Sequence, residues 1–178
     1  MGSPTKRVAF HTLGCKLNFS ETSTISHEFI RHGFEKVDYR ERADIYVLNT
    51  CSVTENADKE ARKIIRRFKR RNPQSSIAVI GCYAQLKPYD IALIEGVDLV
   101  LGAEEKFNLL TYLDSISLDC YPKVIRSEIE HVHKFVPSYS SGERTRSFLK
   151  IQDGCDYTCS FCTIPLARGE SRSDNIEN

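Results

Sequence analysis

The chain lacks tryptophan, contains a single methionine and has no apolar run close to the length of a membrane span. A bilayer-spanning helix needs about 20 consecutive apolar residues, and a secretion signal needs an apolar core that the N-terminal residues do not provide. An excess of one charge is also missing, because 25 basic and 24 acidic residues leave a formal net charge of +1. We therefore expect a cytoplasmic protein without a membrane partner, in which any nucleic-acid contact comes from a local basic patch.

Cysteine, by contrast, is abundant, with seven residues in a chain of 178. Disulfide frameworks are typical of small secreted domains and favour an even number of cysteines. Neither condition holds here, so ligation of a metal ion or an iron–sulfur cluster is the better explanation. We interpret Cys120 as a free cysteine and the other six as candidate ligands.

Strand and helix patterns alternate along the first part of the chain. The strands are almost continuously apolar, which is typical of a parallel sheet that is covered on both faces. We predict an α/β domain with a doubly wound, mainly parallel sheet of about five strands, and Asn18 or Ser20 as the N-cap of its first helix. The predicted strands cover residues 7–12, 34–39, 44–49, 76–80 and 97–101, and the predicted helices cover residues 19–32, 54–72, 88–96 and a segment that ends near residue 114.

The pattern weakens in the last third of the chain. Two prolines and a Ser-Tyr-Ser-Ser-Gly run predict an irregular connector over residues 121–145, and a strand is predicted again over residues 145–152. We divide the chain into an N-terminal domain of residues 1–136, a linker of residues 137–144 and the beginning of a second domain at residues 145–178.

Three cysteines that are far apart in the sequence share one position relative to the predicted strands. Cys15, Cys51 and Cys82 each follow a strand and precede a helix. Parallel strands end at one edge of a sheet, where ligands commonly bind, so these thiols can converge, and Gly14 and Gly81 would let the backbone approach a bulky ligand. The pattern favours an iron–sulfur cluster held by three thiolates. The alternative is three small buried residues at strand ends.

A second group of cysteines lies within one short segment. Three residues separate Cys155 from Cys159 and two separate Cys159 from Cys162, so one loop can reach three corners of a 4Fe–4S cluster. Three thiolates leave one iron open for chemistry, whereas an electron carrier uses four. Tetrahedral zinc is the alternative. Its fourth ligand would be Cys120, His131 or His133.

The sequence around this segment resembles the signature of radical S-adenosylmethionine (SAM) enzymes, Cys-x3-Cys-x2-Cys with an aromatic residue before the last cysteine. Residues 150–173 (KIQDGCDYTCSFCTIPLARGESRS) resemble the version of the methylthiotransferase family almost throughout. Residues 12–18 (TLGCKLN), 49–54 (NTCSVT) and 81–84 (GCYA) are similar to further motifs of that family, in the same order. The resemblance covers residues 7–173.

The resemblance implies that residues 145–178 begin a radical SAM partial (β/α) barrel and that the protein uses S-adenosyl-L-methionine. Cys155, Cys159 and Cys162 would bind the 4Fe–4S cluster at which SAM is cleaved to a 5′-deoxyadenosyl radical. Phe161 would lie beside the SAM adenine.

A second 4Fe–4S cluster follows from the same resemblance. Cys15, Cys51 and Cys82 would bind it, and it would present the sulfur that is inserted into the substrate. A second SAM would supply the methyl group. No side chain is implied as a catalytic acid or base.

Members of the family act on an isopentenyl-type adenosine in tRNA, a threonylcarbamoyl-type adenosine in tRNA, or an aspartate in a ribosomal protein. Residues 49–59 (NTCSVTENADK) and 12–18 are most similar to the threonylcarbamoyladenosine branch. The resemblance therefore implies sulfur insertion and methyl transfer at C2 of the adenosine beside the anticodon. The implied partners are the tRNA anticodon stem-loop, an electron donor such as flavodoxin or ferredoxin, and a sulfur source.

One predicted helix is strongly basic. The helix at residues 54–72 carries eight Lys and Arg residues, which could meet RNA phosphates or form a solvated face with a favourable basic end. Arg168 and Arg172 could touch SAM or RNA, or lie at the surface.

Because the chain stops 16 residues after Cys162, we expect it to lack activity on its own. An RNA-binding module that holds zinc or a cluster without catalysis is the remaining alternative.

Overall fold

The computed structural model describes residues 5–51, 55–113, 116, 122–140, 145–175 and 177, except for the side chains of residues 55–58. Cys120 lies outside these ranges. Six strands form a parallel sheet in the order β2-β1-β3-β4-β5-β6, and two more form an antiparallel pair, β7-β8. The strands are β1 (Arg7–Thr12), β2 (Glu35–Val37), β3 (Ile45–Thr50), β4 (Ser76–Gly81), β5 (Leu99–Leu101), β6 (Lys123–Ile125), β7 (Ser138–Ser140) and β8 (Phe148–Lys150).

The helices lie between these strands along the chain. Within the described ranges, no helix combines the length and the apolar character that crossing a membrane requires. The helices are α1 (Lys16–Arg31), α2 (Glu55–Arg71), α3 (Cys82–Leu86), α4 (Pro88–Ala92), α5 (Leu109–Leu113) and α6 (Ile164–Arg168), with 3₁₀ turns at Glu105–Asn108 and Ile129–His131.

Apolar side chains fill both faces of the main sheet. On one face, α2, α3 and α4 cover the strands, and the Phe68 ring stacks on the Tyr46 ring with centroids 4.3 Å apart. On the other face, α1 and α5 cover the strands, and Phe29 meets Phe10 edge to face at 5.4 Å. The predicted doubly wound α/β fold with a parallel sheet is confirmed.

The β7-β8 pair covers the side of α1 that faces away from the main sheet. Tyr139 N donates to Thr24 Oγ1 at 3.1 Å, and the rings of Phe19 and Phe148 meet edge to face at 6.2 Å. Helix α1 is therefore enclosed from two sides, which explains why many of its polar residues are buried.

Two short strands lie in the segment that the sequence predicts to be irregular. Residues 123–125 pair with β5, so the main sheet has six strands instead of about five. Residues 138–140, inside the predicted linker, pair with β8. The prediction of an irregular connector is wrong for both, because three-residue strands are too short to carry a periodic pattern. The division of the chain into two domains stays a prediction.

Helix α1 begins three residues earlier than predicted, with Cys15 at its N-cap position. The prediction of Asn18 or Ser20 as N-cap is wrong, since both lie inside the helix. The Asn18 amide donates to Thr50 O at 2.9 Å, and the Ser20 hydroxyl donates to Leu17 O at 2.9 Å. These side chains bond elsewhere and are not free to cap the helix.

Gly81 joins β4 to α3 without an intervening loop, a helix that the sequence does not predict. Its backbone has φ 98° and ψ −164°, a region that is essentially restricted to glycine. A Cβ at this position would collide with Thr50 O and Asn49 Oδ1 and would lie 2.8 Å from Thr50 N. The direct passage from strand to helix therefore requires glycine.

We expect Gly81→Ala to lower the free energy of unfolding by at least about 3 kcal/mol, because backbone strain and a collision with backbone atoms add. Gly33→Ala is the matched control: Gly33 also has a positive φ, 85°, but a Cβ there would meet nothing within 4 Å. Its cost should be backbone strain alone, about 1–2 kcal/mol. Urea unfolding of both variants measures the difference, and equal losses would contradict the role of the close contact at Gly81.

Candidate metal centre

The three strand-end cysteines lie at one edge of the main sheet. Strands β1, β3 and β4 are parallel neighbours; Cys15 precedes α1, Cys51 directly follows β3, and Cys82 is the first residue of α3. Cys15 is exposed, Cys51 is half-buried and Cys82 is 8% exposed. The thiols thus extend from the surface into the protein at the edge where parallel strands commonly bind ligands. Their role as cluster ligands stays a prediction.

Gly14 and Asn18 bring the first two cysteine segments together. Gly14 has φ 108°, and a Cβ on it would lie 2.5 Å from Cys51 Cβ and 3.0 Å from Cys51 Sγ. Asn18 Nδ2 donates to Thr50 O at 2.9 Å, directly before Cys51. Cys15 Sγ donates to Asn18 Oδ1 at 3.5 Å. One buried amide therefore contacts both segments.

The innermost thiol lies near charges of both signs. Burial raises the pKa of the Cys82 thiol and the Glu21 carboxylate adds to this, while Arg168 and Lys106 offset part of the rise. Metal ions and clusters bind cysteine as thiolate. The nearby cations therefore supply charge that a bound thiolate needs at this depth.

The compact cysteine loop is held firmly at its base. Cys155 N donates to Gly169 O at 3.0 Å. Asp153 and Arg172 exchange two backbone hydrogen bonds of 2.9 and 2.8 Å. Gly154 has φ 73°, and a Cβ on it would collide with the backbone of Glu170. The two ends of the loop thus approach as closely as their backbones permit.

The tip of the same loop is open to solvent. Cys159, Cys162 and Phe161 are exposed, and the Phe161 ring is fully so. Cys162 N donates to Cys159 O at 3.1 Å, which closes a turn between the two cysteines. Residues 159–164 line a shallow pocket of about 520 Å³. The tip presents two thiols and an aromatic ring to solvent, and the role of Phe161 in binding SAM stays a prediction.

Neither cysteine set is a preformed site for a single metal ion in the part of the chain that the structure describes. Among the residues that the structure describes, no three His, Cys, Asp or Glu side chains are grouped closely enough to hold one ion. The corner ligands of a 4Fe–4S cluster lie farther apart, and thiolates are its usual ligands. His131 and His133 are exposed and Cys120 lies outside the described residues, so zinc and cluster ligation at the compact loop both stay predictions.

Five buried ionic side chains link the two cysteine regions, and we call them the Glu21 cluster. Each is at most 4% exposed. The Glu21 carboxylate accepts hydrogen bonds from Lys106 Nζ at 2.8 Å, Arg168 Nη1 at 3.0 Å and Lys150 Nζ at 3.3 Å. Burial alone would raise the pKa of Glu21, but the three cations outweigh it and hold the pKa well below its usual range. The members are Glu21, Lys106, Lys150, Asp153 and Arg168.

Asp153 is the second carboxylate of the Glu21 cluster. It pairs with Arg168 Nη1 at 2.7 Å and with Lys150 Nζ at 3.0 Å. Burial alone would raise the pKa of Asp153. The nearby cations, with Arg168 as the strongest, outweigh burial and lower the pKa. Aromatic rings of Phe107 and Phe135 lie 5.0 and 5.2 Å from Lys150 Nζ. Three cations share two carboxylates, which leaves one excess positive charge in the cluster.

Sequence reasoning misses the Glu21 cluster. The expectation that Arg168 lies at the surface is wrong, because its side chain is 4% exposed and paired with protein carboxylates. A contact of Arg168 with SAM or RNA stays a prediction. The burial arises from the second sheet, which covers a helix face that a single sheet would leave in water. One signal was available in the sequence, because α1 has too few apolar residues for an ordinary amphipathic helix. In the structure, its polar residues Asn18 and Glu21 are fully buried.

We expect Glu21→Gln to destabilise the chain by about 3–5 kcal/mol near neutral pH, because three buried cations would lose their shared partner. The ionised carboxylate stabilises the fold fully above its ordinary pKa of 4.5 and does so less as the pH falls below that value. The wild-type free energy of unfolding should therefore fall with acid more steeply than that of the variant, by up to about 1.4 kcal/mol per pH unit.

Urea unfolding at several pH values between neutral and strongly acid measures both effects. Glu28→Gln removes a half-buried carboxylate from the same helix and should change stability by no more than about 0.5 kcal/mol. An unchanged acid slope in Glu21→Gln would show that the Glu21 carboxylate is not held ionised by the cluster.

The chain is similar to proteins whose names describe methylthio modification of tRNA. The threonylcarbamoyladenosine tRNA methylthiotransferase MtaB of Bacillus subtilis is 45% identical over 174 residues, which cover 96% of this chain and 38% of the relative. The MtaB protein of Aquifex aeolicus is 41% identical, with 96% and 42% covered. A tRNA-2-methylthio-N(6)-dimethylallyladenosine synthase of Amoebophilus asiaticus is 32% identical, with 95% and 36% covered. The chain thus spans about two fifths of the length of these relatives.

A family match covers the main sheet and the strand-end cysteines. It extends over residues 7–102, more than half of the chain, and includes β1 to β5 together with Cys15, Cys51 and Cys82. The chain therefore belongs to the family described as Uncharacterized protein family UPF0004.

Proposed function

We propose that this chain is the front part of a tRNA methylthiotransferase that inserts sulfur and transfers a methyl group at C2 of N6-threonylcarbamoyladenosine. The observation that carries the proposal is the presence of two separate sets of three cysteines, one at the sheet edge and one in the compact loop. Each set leaves one corner of a cubane cluster without a protein ligand. The relatives named for this reaction support the substrate, since they are 45% and 41% identical.

The two sets have different tasks in this proposal. Cys155, Cys159 and Cys162 hold one 4Fe–4S cluster in the compact loop, and Phe161 offers its ring to the SAM adenine. Cys15, Cys51 and Cys82 hold the other cluster at the sheet edge. The bound clusters and SAM supply radical chemistry and sulfur that no side chain can provide.

The protein's own residues prepare these sites. Gly14 allows Cys51 to lie against the backbone that leads to Cys15. Burial keeps water from the Cys82 thiol, while Arg168 and Lys106 offset part of the cost of a negative charge there. Hydrogen bonds at the base hold the compact loop, so that its cysteines need little ordering when a ligand binds.

A basic pocket on α2 supports tRNA as the substrate. Lys59, Lys63 and Arg67 recur every four residues along the exposed face of the helix and line a pocket of about 390 Å³, in which Glu60 is the single acidic lining residue. The rings of Tyr39 and His11 line the same pocket, together with Ile64. Cations that contact phosphates, beside rings that can stack on bases, are typical of RNA-binding surfaces. The helix starts close to the cysteine edge, after Cys51 in the chain, so a bound RNA could continue toward the site. The electron donor and the sulfur source are further partners that we propose.

We expect the full-length protein, reconstituted with iron and sulfide without oxygen, to hold about two 4Fe–4S clusters. Replacing Cys15, Cys51 and Cys82 with Ala should remove one, and replacing Cys155, Cys159 and Cys162 should remove the other. Iron and acid-labile sulfide counts, with the nucleoside composition of tRNA incubated with SAM and reductant, measure the outcome. Zinc without sulfide, or product formation after loss of the compact-loop cysteines, would refute the proposed function.

We expect Lys63→Ala combined with Arg67→Ala to weaken binding of the full-length protein to its tRNA. If each side chain contacts one phosphate, the slope of log affinity against log salt should decrease by about 1.5. Arg66→Ala with Arg70→Ala is the matched control, since this pair lies on another side of α2 and lines a different pocket. An equal loss in both double variants would indicate a non-specific charge effect. Loss of electron transfer from a reductant protein with unchanged tRNA affinity would assign the pocket to the electron donor.

A further inference from the structure

We propose that Arg168 is a positioning residue that joins the two cysteine sites, so that the strand-end site is complete only when the compact loop is docked against it. The inference rests on the proposed function, because it assumes that both cysteine sets bind clusters. It assigns to Arg168 a task at the strand-end site, although Arg168 follows the compact loop in the sequence.

The Arg168 guanidinium group, on α6, contacts two other segments of the chain, helix α1 and the base of the compact loop. Arg168 Nη2 donates to Asn18 Oδ1 at 2.6 Å, while Nη1 donates to Asp153 Oδ1 at 2.7 Å and to Glu21 Oε1 at 3.0 Å. Asp153 lies two residues before Cys155, and Asn18 lies three residues after Cys15. The rigid planar donor arrangement of arginine suits such a junction better than the single ammonium group of lysine.

The bond to Asn18 determines the orientation of that side-chain amide. Arg168 is only a donor, so it requires the Asn18 oxygen on its side and directs Nδ2 to the opposite side. There Nδ2 donates to Thr50 O at 2.9 Å. If the Asn18 amide were turned over, Nδ2 would face the guanidinium and Oδ1 would face the Thr50 carbonyl. Both hydrogen bonds would then be lost. Arg168 thereby fixes, through Asn18, the backbone directly before Cys51.

The charge of Arg168 also suits the strand-end site. Helix α6, which ends with Arg168, packs against α3, which begins with Cys82. The Glu21 cluster, which includes Arg168, carries one more cation than carboxylates. Three thiolates around a cluster bring negative charge into a site that is partly closed to water. The excess positive charge compensates it.

The test uses full-length protein in which Cys155, Cys159 and Cys162 are replaced by Ala, so that only the strand-end site can take up iron and sulfide. Arg168→Lys is then introduced into this background. It keeps the charge but cannot bond Asn18, Glu21 and Asp153 together. We expect iron to be lost to a chelator about tenfold faster, as is typical when a supporting residue of a metal site is removed. We also expect the reduction potential of the remaining cluster to shift.

Asn18→Asp tests the second half of this link. It keeps an oxygen for Arg168 but removes the donor to Thr50 O, so it should accelerate iron loss in the same way, and the thermal midpoint of the metal-free protein is measured alongside so that iron retention is compared between folded variants. Arg172→Lys is the matched control. Arg172 pairs with Asp153 at 3.4 Å and otherwise donates to the backbone carbonyls of Lys134, Arg168 and Glu170. Iron retention and potential should therefore remain at the parent values.

The outcomes distinguish a failure of the proposed cluster binding from a failure of the role of Arg168. If the parent background takes up no iron, the proposed function fails. If it takes up iron and Arg168→Lys retains it as the parent does, the role of Arg168 is refuted. The role is also refuted if Arg168→Lys and Arg172→Lys lose iron equally fast, because the effect would then reflect general loosening of the compact loop.

Discussion

The structure depends on the burial of the Glu21 carboxylate among three cations. A charged group in the protein interior is tolerated only when its partners are in place. The partners of Glu21 come from a 3₁₀ turn, from β8 and from α6. These elements are distant in sequence, and none of them can leave without exposing an unpaired buried charge. The ionic cluster therefore couples the main sheet to the segment that carries the compact cysteine loop.

The parallel sheet contributes the other constraint. Because neighbouring strands end at one edge, residues that follow β1, β3 and β4 meet there regardless of their separation in sequence. Gly14 and Gly81 make that edge dense, as any side chain at either position would collide with the adjoining cysteine segment or strand. The fold thus brings the thiols to one edge of the sheet. The buried charges of the Glu21 cluster hold the base of the compact loop and α6 next to that edge.

The sequence predicts the elements that have their own local pattern. The long apolar strands and α2 agree with the structure to within a few residues, since each contains enough residues to show a period or a clear end signal. The short strands β6 and β7 have no such pattern and form only by pairing with partners elsewhere. The placement of Cys15, Cys51 and Cys82 at one edge could be predicted because all strands of a parallel sheet end at the same edge.

The ionic cluster could not be predicted for a different reason. A Glu, two Lys and an Arg in a sequence are ordinarily solvated, and their burial is decided by contacts more than 80 residues apart, such as Glu21 with Lys106 or Lys150. The same limitation applies to Asn18, which resembles an N-cap locally but is held by Thr50 and Arg168. Non-local pairing overrides the local preference in both cases.

A rigid link between the cysteine sites follows from the chemistry proposed for them. If one site starts a radical at a substrate carbon and the other delivers sulfur to that same carbon, their separation must be held to within a fraction of an ångström. An apolar contact between the two regions could slide, because its energy depends little on direction. The bonds of Arg168 to Asn18, Glu21 and Asp153 are directional and lie between 2.6 and 3.0 Å. A buried guanidinium is therefore better suited than a hydrophobic interface to fix the distance, at the cost that every one of its partners must be present.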